Sequence, residues 1–98
     1  MPAPADCTTK AEIRAEIDRL DRALVALLGE RFAYVRRMAA VKQDPGEALD
    51  PDRVEDVLAR VVAEARAQGL DPDLIEAMWR QLIEWNVAFE ARTIAGKG

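Results

Sequence analysis

An all-α fold of three helices in a single domain, residues 1–98, is what this chain predicts. Three observations lead there. Apolar residues recur at three- and four-residue steps through three stretches, the period of a helix face. The interior is filled with Ala, Leu, Glu and Arg, the strong helix formers. Nearly all of the 5 Gly and 5 Pro stand at the chain ends or at two breaks between those stretches. No strand pattern and no internal repeat is visible.

The first helix is predicted over about 9–42. Thr9 with Glu12 fits a capping box. Ile13, Ile17, Leu20, Leu24, Leu27, Leu28, Val35, Met38 and Val41 then follow at helical spacing. At 1.5 Å per residue such a helix is roughly 50 Å long. Two shorter helices of the same chain do not suffice to cover so long a stripe, so a second copy is expected to cover the rest. The first break runs over Gln43–Leu49, with Pro45 and Gly46. Asp50 reads as an N-cap with Pro51 at the first helical position, opening a second helix over about 51–68. Its stripe is Val54, Val57, Leu58, Val61, Val62 and Ala65, and Gly69 is placed to end it in the left-handed conformation. Asp71 and Pro72 repeat the start signal for a third helix, about 72–94, carrying Leu74, Ile75, Met78, Trp79, Leu82, Ile83, Val87 and Ile94. The tail from Gly96 through Lys97 to Gly98 is expected to fray.

Composition narrows the function. A net charge of −4 argues against a nucleic-acid partner, which calls for a basic surface. No apolar run approaches the roughly 20 residues of a membrane span, and the N-terminus has no signal-segment pattern, so a cytoplasmic location is expected. Cys7 is the single cysteine and excludes an intrachain disulfide. The chain has no histidine, which removes His-based triads and His-containing metal sites and leaves Cys7 without an imidazole to activate it. Neither metal nor cofactor is expected. Chemistry here rests on carboxylates, cations and hydrogen bonds.

The informative positions are polar residues on apolar stripes. Arg31 and Lys42 are eleven residues apart, which at 100° per residue brings them back to within about 20° of one direction. They either bracket a small apolar floor made by Val35 and Met38 or reach past the core to water. On the third helix Asn86 and Glu90 continue the face of Ile75, Trp79 and Ile83. Glu90 is then either an ordinary acid where the helix meets water or an inward carboxylate, and an unpaired buried carboxylate tends to keep its proton. Arg53, in the first turn of the second helix, is mildly disfavoured by the helix dipole; it marks either an anion to be bound or a neighbouring acid. Arg14 lies 17 residues before Arg31, about 25 Å along the axis, so both grip one small molecule only if two copies of the helix run antiparallel.

Together these positions resemble the all-helical AroQ class of chorismate mutases, from about Thr8 to Arg92. The resemblance rests on Arg14 within Ile13-Arg14-x-x-Ile17-Asp18-x-x-Asp21, then Arg31, Lys42, Asp50-x-x-Arg53 and the carboxylate of Glu90. It implies an intertwined homodimer of three-helix protomers. Each site would take Arg31, Lys42, Arg53 and Glu90 from one chain and Arg14 from the other. Chorismate is a dianion, and its rearrangement to prephenate breaks the ether C–O bond as a C–C bond forms. The resemblance therefore assigns Arg14 and Arg31 to the carboxylates, with Arg53 assisting, Lys42 and Glu90 as donors to the ether oxygen, and Asp50 near the ring hydroxyl. Asn86 joins the substrate-binding set, and Val35, Met38, Val54, Val57 and Ile83 form the walls.

Three departures from the family pattern matter. Many members have glutamine at the position of Glu90, so this carboxyl must be protonated to donate, and activity should fall as pH rises. Many mutases carry a glutamate directly after the second-helix arginine, where this chain has Val54. The leader Asp6-Cys7-Thr8 and Val54 are similar to the isochorismate-pyruvate lyase branch, which gives salicylate and pyruvate. An aminodeoxychorismate mutase, and a helical dimer without catalysis, are the further readings.

Overall fold

The structure is a computed structural model that describes residues 2–97. Three α-helices carry it: α1, Lys10–Val41; α2, Pro51–Ala67; and α3, Pro72–Ala95. The all-α expectation holds, with helix ends within a residue of the sequence reading. Two short 3₁₀ turns, Pro4–Asp6 and Pro45–Glu47, were not foreseen. No strand occurs among the described residues. Two compact units are distinguished, Met1–Ala33 and Tyr34–Gly98.

The first unit contains the leader and the greater part of α1. Its start is fixed locally. Thr9 Oγ1 accepts the Glu12 backbone N–H at 3.1 Å, and the hydroxyls of Thr8 and Thr9 donate to Glu12 Oε1 at 3.1 and 3.2 Å. The apolar stripe of this unit is exposed within the chain. Ile13, Ile17, Leu20, Leu24, Leu27 and Leu28 keep between 44% and 61% of their surface.

The second unit holds the end of α1, the connection, α2 and α3. Asp50 caps α2 by accepting the Arg53 N–H at 3.1 Å, and Asp71 caps α3 by accepting the Asp73 N–H at 2.9 Å. Helix α2 ends in a Schellman motif: Leu70 N–H donates to Ala65 O at 2.8 Å and Gly69 N–H to Arg66 O at 3.2 Å. Gly69 there has φ +73°, the left-handed region that glycine enters without steric cost. Helices α2 and α3 pack on each other, and α3 also packs on the Pro45–Glu47 turn. Leu58 and Ala65 of α2 are buried, as its stripe predicted. On α3 the stripe is narrower than predicted, since Leu74 and Met78 stay about half exposed while Ile94 is buried.

A second small core forms where α1 ends. Ala39, Ala48 and Ile94 bury their side chains together, with Val87 and Ala91 packed against them. Two of the three are alanines, so the end of α1 and the connection approach α3 closely. The expected fraying of the tail does not occur at Lys97, whose ammonium donates to Ala40 O and Lys42 O, both at 2.9 Å. The carbonyls at the end of α1 are a cluster of acceptors that the sequence did not reveal as a partner for the tail. Gly98 lies outside the described residues.

Candidate functional site

The small core at the end of α1 brings two distant polar residues together. Lys42 stands one turn after Ala39, and Glu90 one turn before Ile94, so packing of those apolar side chains carries both polar ones to one place. Lys42 Nζ donates to Glu90 Oε1 at 2.9 Å across 48 residues of sequence. The Lys42 side chain is 20% exposed and that of Glu90 10%. Asn86, one turn before Glu90 on α3, is buried as well.

This settles the sequence alternatives for Glu90: it is an inward residue, and its carboxylate is matched by a cation. The notion of an unpaired buried carboxyl is thereby corrected. A charged hydrogen bond in a partly dry place is among the stronger polar contacts. An ammonium has three N–H donors, and Glu90 engages one of them.

Arg53 also receives an answer. Its side chain is well exposed and donates to Asp56 Oδ2 at 2.9 Å, while Arg60 donates to the same oxygen at 3.1 Å. A neighbouring acid thus engages the arginine in the first turn of α2 through one of its five N–H donors. The hydrogen bond from Arg60, its charge, and the same contributions from Arg53 hold the Asp56 carboxyl below its ordinary value. Sequence reasoning passed over Asp56, although arginines three residues before and four after it on a helix are the signal that would have found it. Asp50 is engaged as the cap of α2.

The remaining predicted residues fall as follows. Val35, Val54, Val57 and Ile83 are half-buried, and Met38 is about half exposed. Arg14 and Arg31 belong to the first unit, where Arg14 is exposed and Arg31 half-buried. Cys7 is a free, half-buried thiol.

Residues 13–91 match the model of the family described as chorismate mutase type II. The chain belongs to the chorismate mutase type II family. Over 88 residues it is 36% identical to the isochorismate pyruvate lyase of Pseudomonas aeruginosa, covering 90% of this chain and 87% of that one. Over 81 residues it is 28% identical to the chorismate mutase of Methanocaldococcus jannaschii, covering 82% of each. It is also 38% identical over 72 residues to the T-protein of Enterobacter agglomerans, of which it spans only 19%. The match covers Arg14, Arg31, Lys42, Arg53 and Glu90 alike. Enzymatic activity of the kind this family performs is therefore supported, and no described helix is long and apolar enough to cross a membrane.

Proposed function

We propose that the chain is a chorismate mutase, rearranging chorismate to prephenate without a cofactor. The observation that carries this reading is the Lys42–Glu90 pair, two hydrogen-bonding groups set side by side and largely out of water. The reaction makes no covalent demand on the protein. It asks for a compact substrate conformer and for stabilisation of negative charge growing on the ether oxygen as the C–O bond breaks and the C–C bond forms. Lys42 supplies the first donor to that oxygen. Glu90 is a second donor only in its protonated form; as the carboxylate that accepts from Lys42 it orients that ammonium. Arg31 and Arg53 of the same chain and Arg14 of a second copy hold the two carboxylates, with Asp50 at the ring hydroxyl and Asn86 beside Glu90. Val35, Met38, Val54, Val57 and Ile83 wall the site.

The second copy is part of the proposal. Six large apolar residues of the first unit, 44–61% exposed, make a stripe that a soluble monomer rarely leaves open. A homodimer that covers it also delivers Arg14 across the interface.

A second reading, isochorismate-pyruvate lyase, is favoured by the 36% identity to the Pseudomonas aeruginosa lyase over nearly the full length of both chains, together with Val54 and the Asp6-Cys7-Thr8 leader. By the family resemblance both reactions use nearly the same cations. The deciding experiment supplies purified protein with chorismate and with isochorismate separately and follows the loss of each substrate and the products formed. Prephenate from chorismate supports the mutase; salicylate and pyruvate from isochorismate transfer the protein to the lyase branch; inactivity on both removes the catalytic reading. Glu90→Gln, whose amide N–H is a donor while its carbonyl oxygen still accepts from Lys42, should turn over at least as fast as the wild type.

A further inference from the structure

We infer that Lys97 is a positioning residue for Lys42, capping the last turn of α1 from the end of α3 and holding the backbone from which the Lys42 side chain reaches Glu90. The inference rests on the reading of Lys42 as a donor to the substrate.

The final carbonyls of a helix have no partners within it and carry partial negative charge, so a cation placed there is favourable. Lys97 Nζ makes hydrogen bonds to two of them, Ala40 O and Lys42 O, each at 2.9 Å. The Lys42 N–H donates in turn to Met38 O at 2.9 Å. Lys42 is thus fixed on both sides of its own Cα: by α1 through its N–H and by Lys97 through its carbonyl. The same helix that anchors the backbone anchors the side chain, because Glu90 lies seven residues, two turns, before Lys97. Helix α3 therefore grips the end of α1 at three levels: Glu90 on the ammonium of Lys42, Ile94 in the core against Ala39, and Lys97 on the carbonyls. Only the last is exposed, so it is the one contact of the three that can be removed without opening a core. The Lys97 turn is itself tied down, with Gly96 N–H to Arg92 O and Lys97 N–H to Ile94 O, both at 3.1 Å. Lys97 is placed on main-chain carbonyls and acts through Lys42.

The test compares Lys97→Ala and Lys97→Arg with the wild type by steady-state kinetics on chorismate and isochorismate and by residue-resolved amide exchange. Small misplacements of a catalytic group are costly, so Lys97→Ala should lower kcat by about tenfold, with KM, set by the arginines, moving less than about twofold. The Lys42 amide should exchange faster, while Leu58 and Ala65 in the other core keep their protection. Lys97→Arg, which retains donors for both carbonyls, should recover most of kcat and of the Lys42 protection. Wild-type kcat together with wild-type exchange at Lys42 in Lys97→Ala overturns the inference. So does a loss that raises exchange at Leu58 and Ala65 equally and is not rescued by arginine, since that is general destabilisation. If the wild type converts neither compound, the functional reading fails by itself; the inference then stands on accelerated exchange at Lys42 alone and falls if that exchange is unchanged.

Discussion

Replacing Lys42 with methionine keeps the length and apolar stem of the side chain and removes its charge. Glu90, 7% exposed, is then left without its cation. At the observed 2.9 Å and an effective dielectric constant of about 20, the gross attraction is about 6 kcal/mol, most of it offset by the cost of drying both charges. Removing one partner of a fully buried pair costs about 3–5 kcal/mol. Here the side chains are 20% and 10% exposed, so water regains part of the carboxylate and we expect about 2–3 kcal/mol. In a domain of this size that lowers Tm by about 10–20 °C. Glu90→Gln should cost only about 1 kcal/mol, because an amide oxygen still accepts from the Lys42 ammonium. The double variant Lys42→Met/Glu90→Met, with no charge left stranded, should be more stable than Lys42→Met alone. The assay is urea unfolding followed by far-UV circular dichroism at one fixed protein concentration, since any association makes the midpoint concentration-dependent. A Lys42→Met protein within about 0.5 kcal/mol of wild type, or a Glu90→Gln protein as unstable as Lys42→Met, would refute the view that this pair is a desolvated, mutually dependent contact.

Further expectations concern the frame that holds the site. Leu58→Ala, at a position 2% exposed, should cost about 2–4 kcal/mol in urea unfolding; a loss below about 1 kcal/mol would mean the site is poorly packed. Gly69→Ala meets no atom within 4 Å of the added Cβ, so its cost should be that of the φ of +73° alone, about 1–2 kcal/mol by the same assay. Asp56 has a folded value below its ordinary 3.8, so its stabilising contribution is present above that value and disappears as pH falls through the lowered one. The stability difference between wild type and Asp56→Asn should accordingly be larger at about pH 6 than at about pH 3, and an increase toward acid would contradict the pairing with Arg60 and Arg53.

Local signals were sufficient for the helices and their ends. Thr9, Asp50 and Asp71 cap within three residues of themselves, Pro51 and Pro72 open helices, and Gly69 closes one through its own dihedral angle; each is a short-range matter that the order of residues already decides. The stripe of α2 was legible for the same reason, because spacing along one helix defines its face. The stripe of α3 was only half legible: periodicity says which residues share a face, while whether Leu74 and Met78 are covered depends on how far the neighbouring helix extends. At the site the sequence offered pairs of alternatives. That Glu90 faces inward and meets Lys42 was decided by the close approach of Ala39, Ala48 and Ile94, which closes 48 residues of chain into one contact. That Arg53 meets Asp56 was within reach of the sequence, being a contact one turn away on one helix. The hold of Lys97 on Ala40 and Lys42 was beyond it, since no spacing rule connects a lysine with carbonyl oxygens more than 50 residues earlier. Residue type and order determined what each segment of this protein is; which charges end up out of water, and against whom, was decided only when the segments packed.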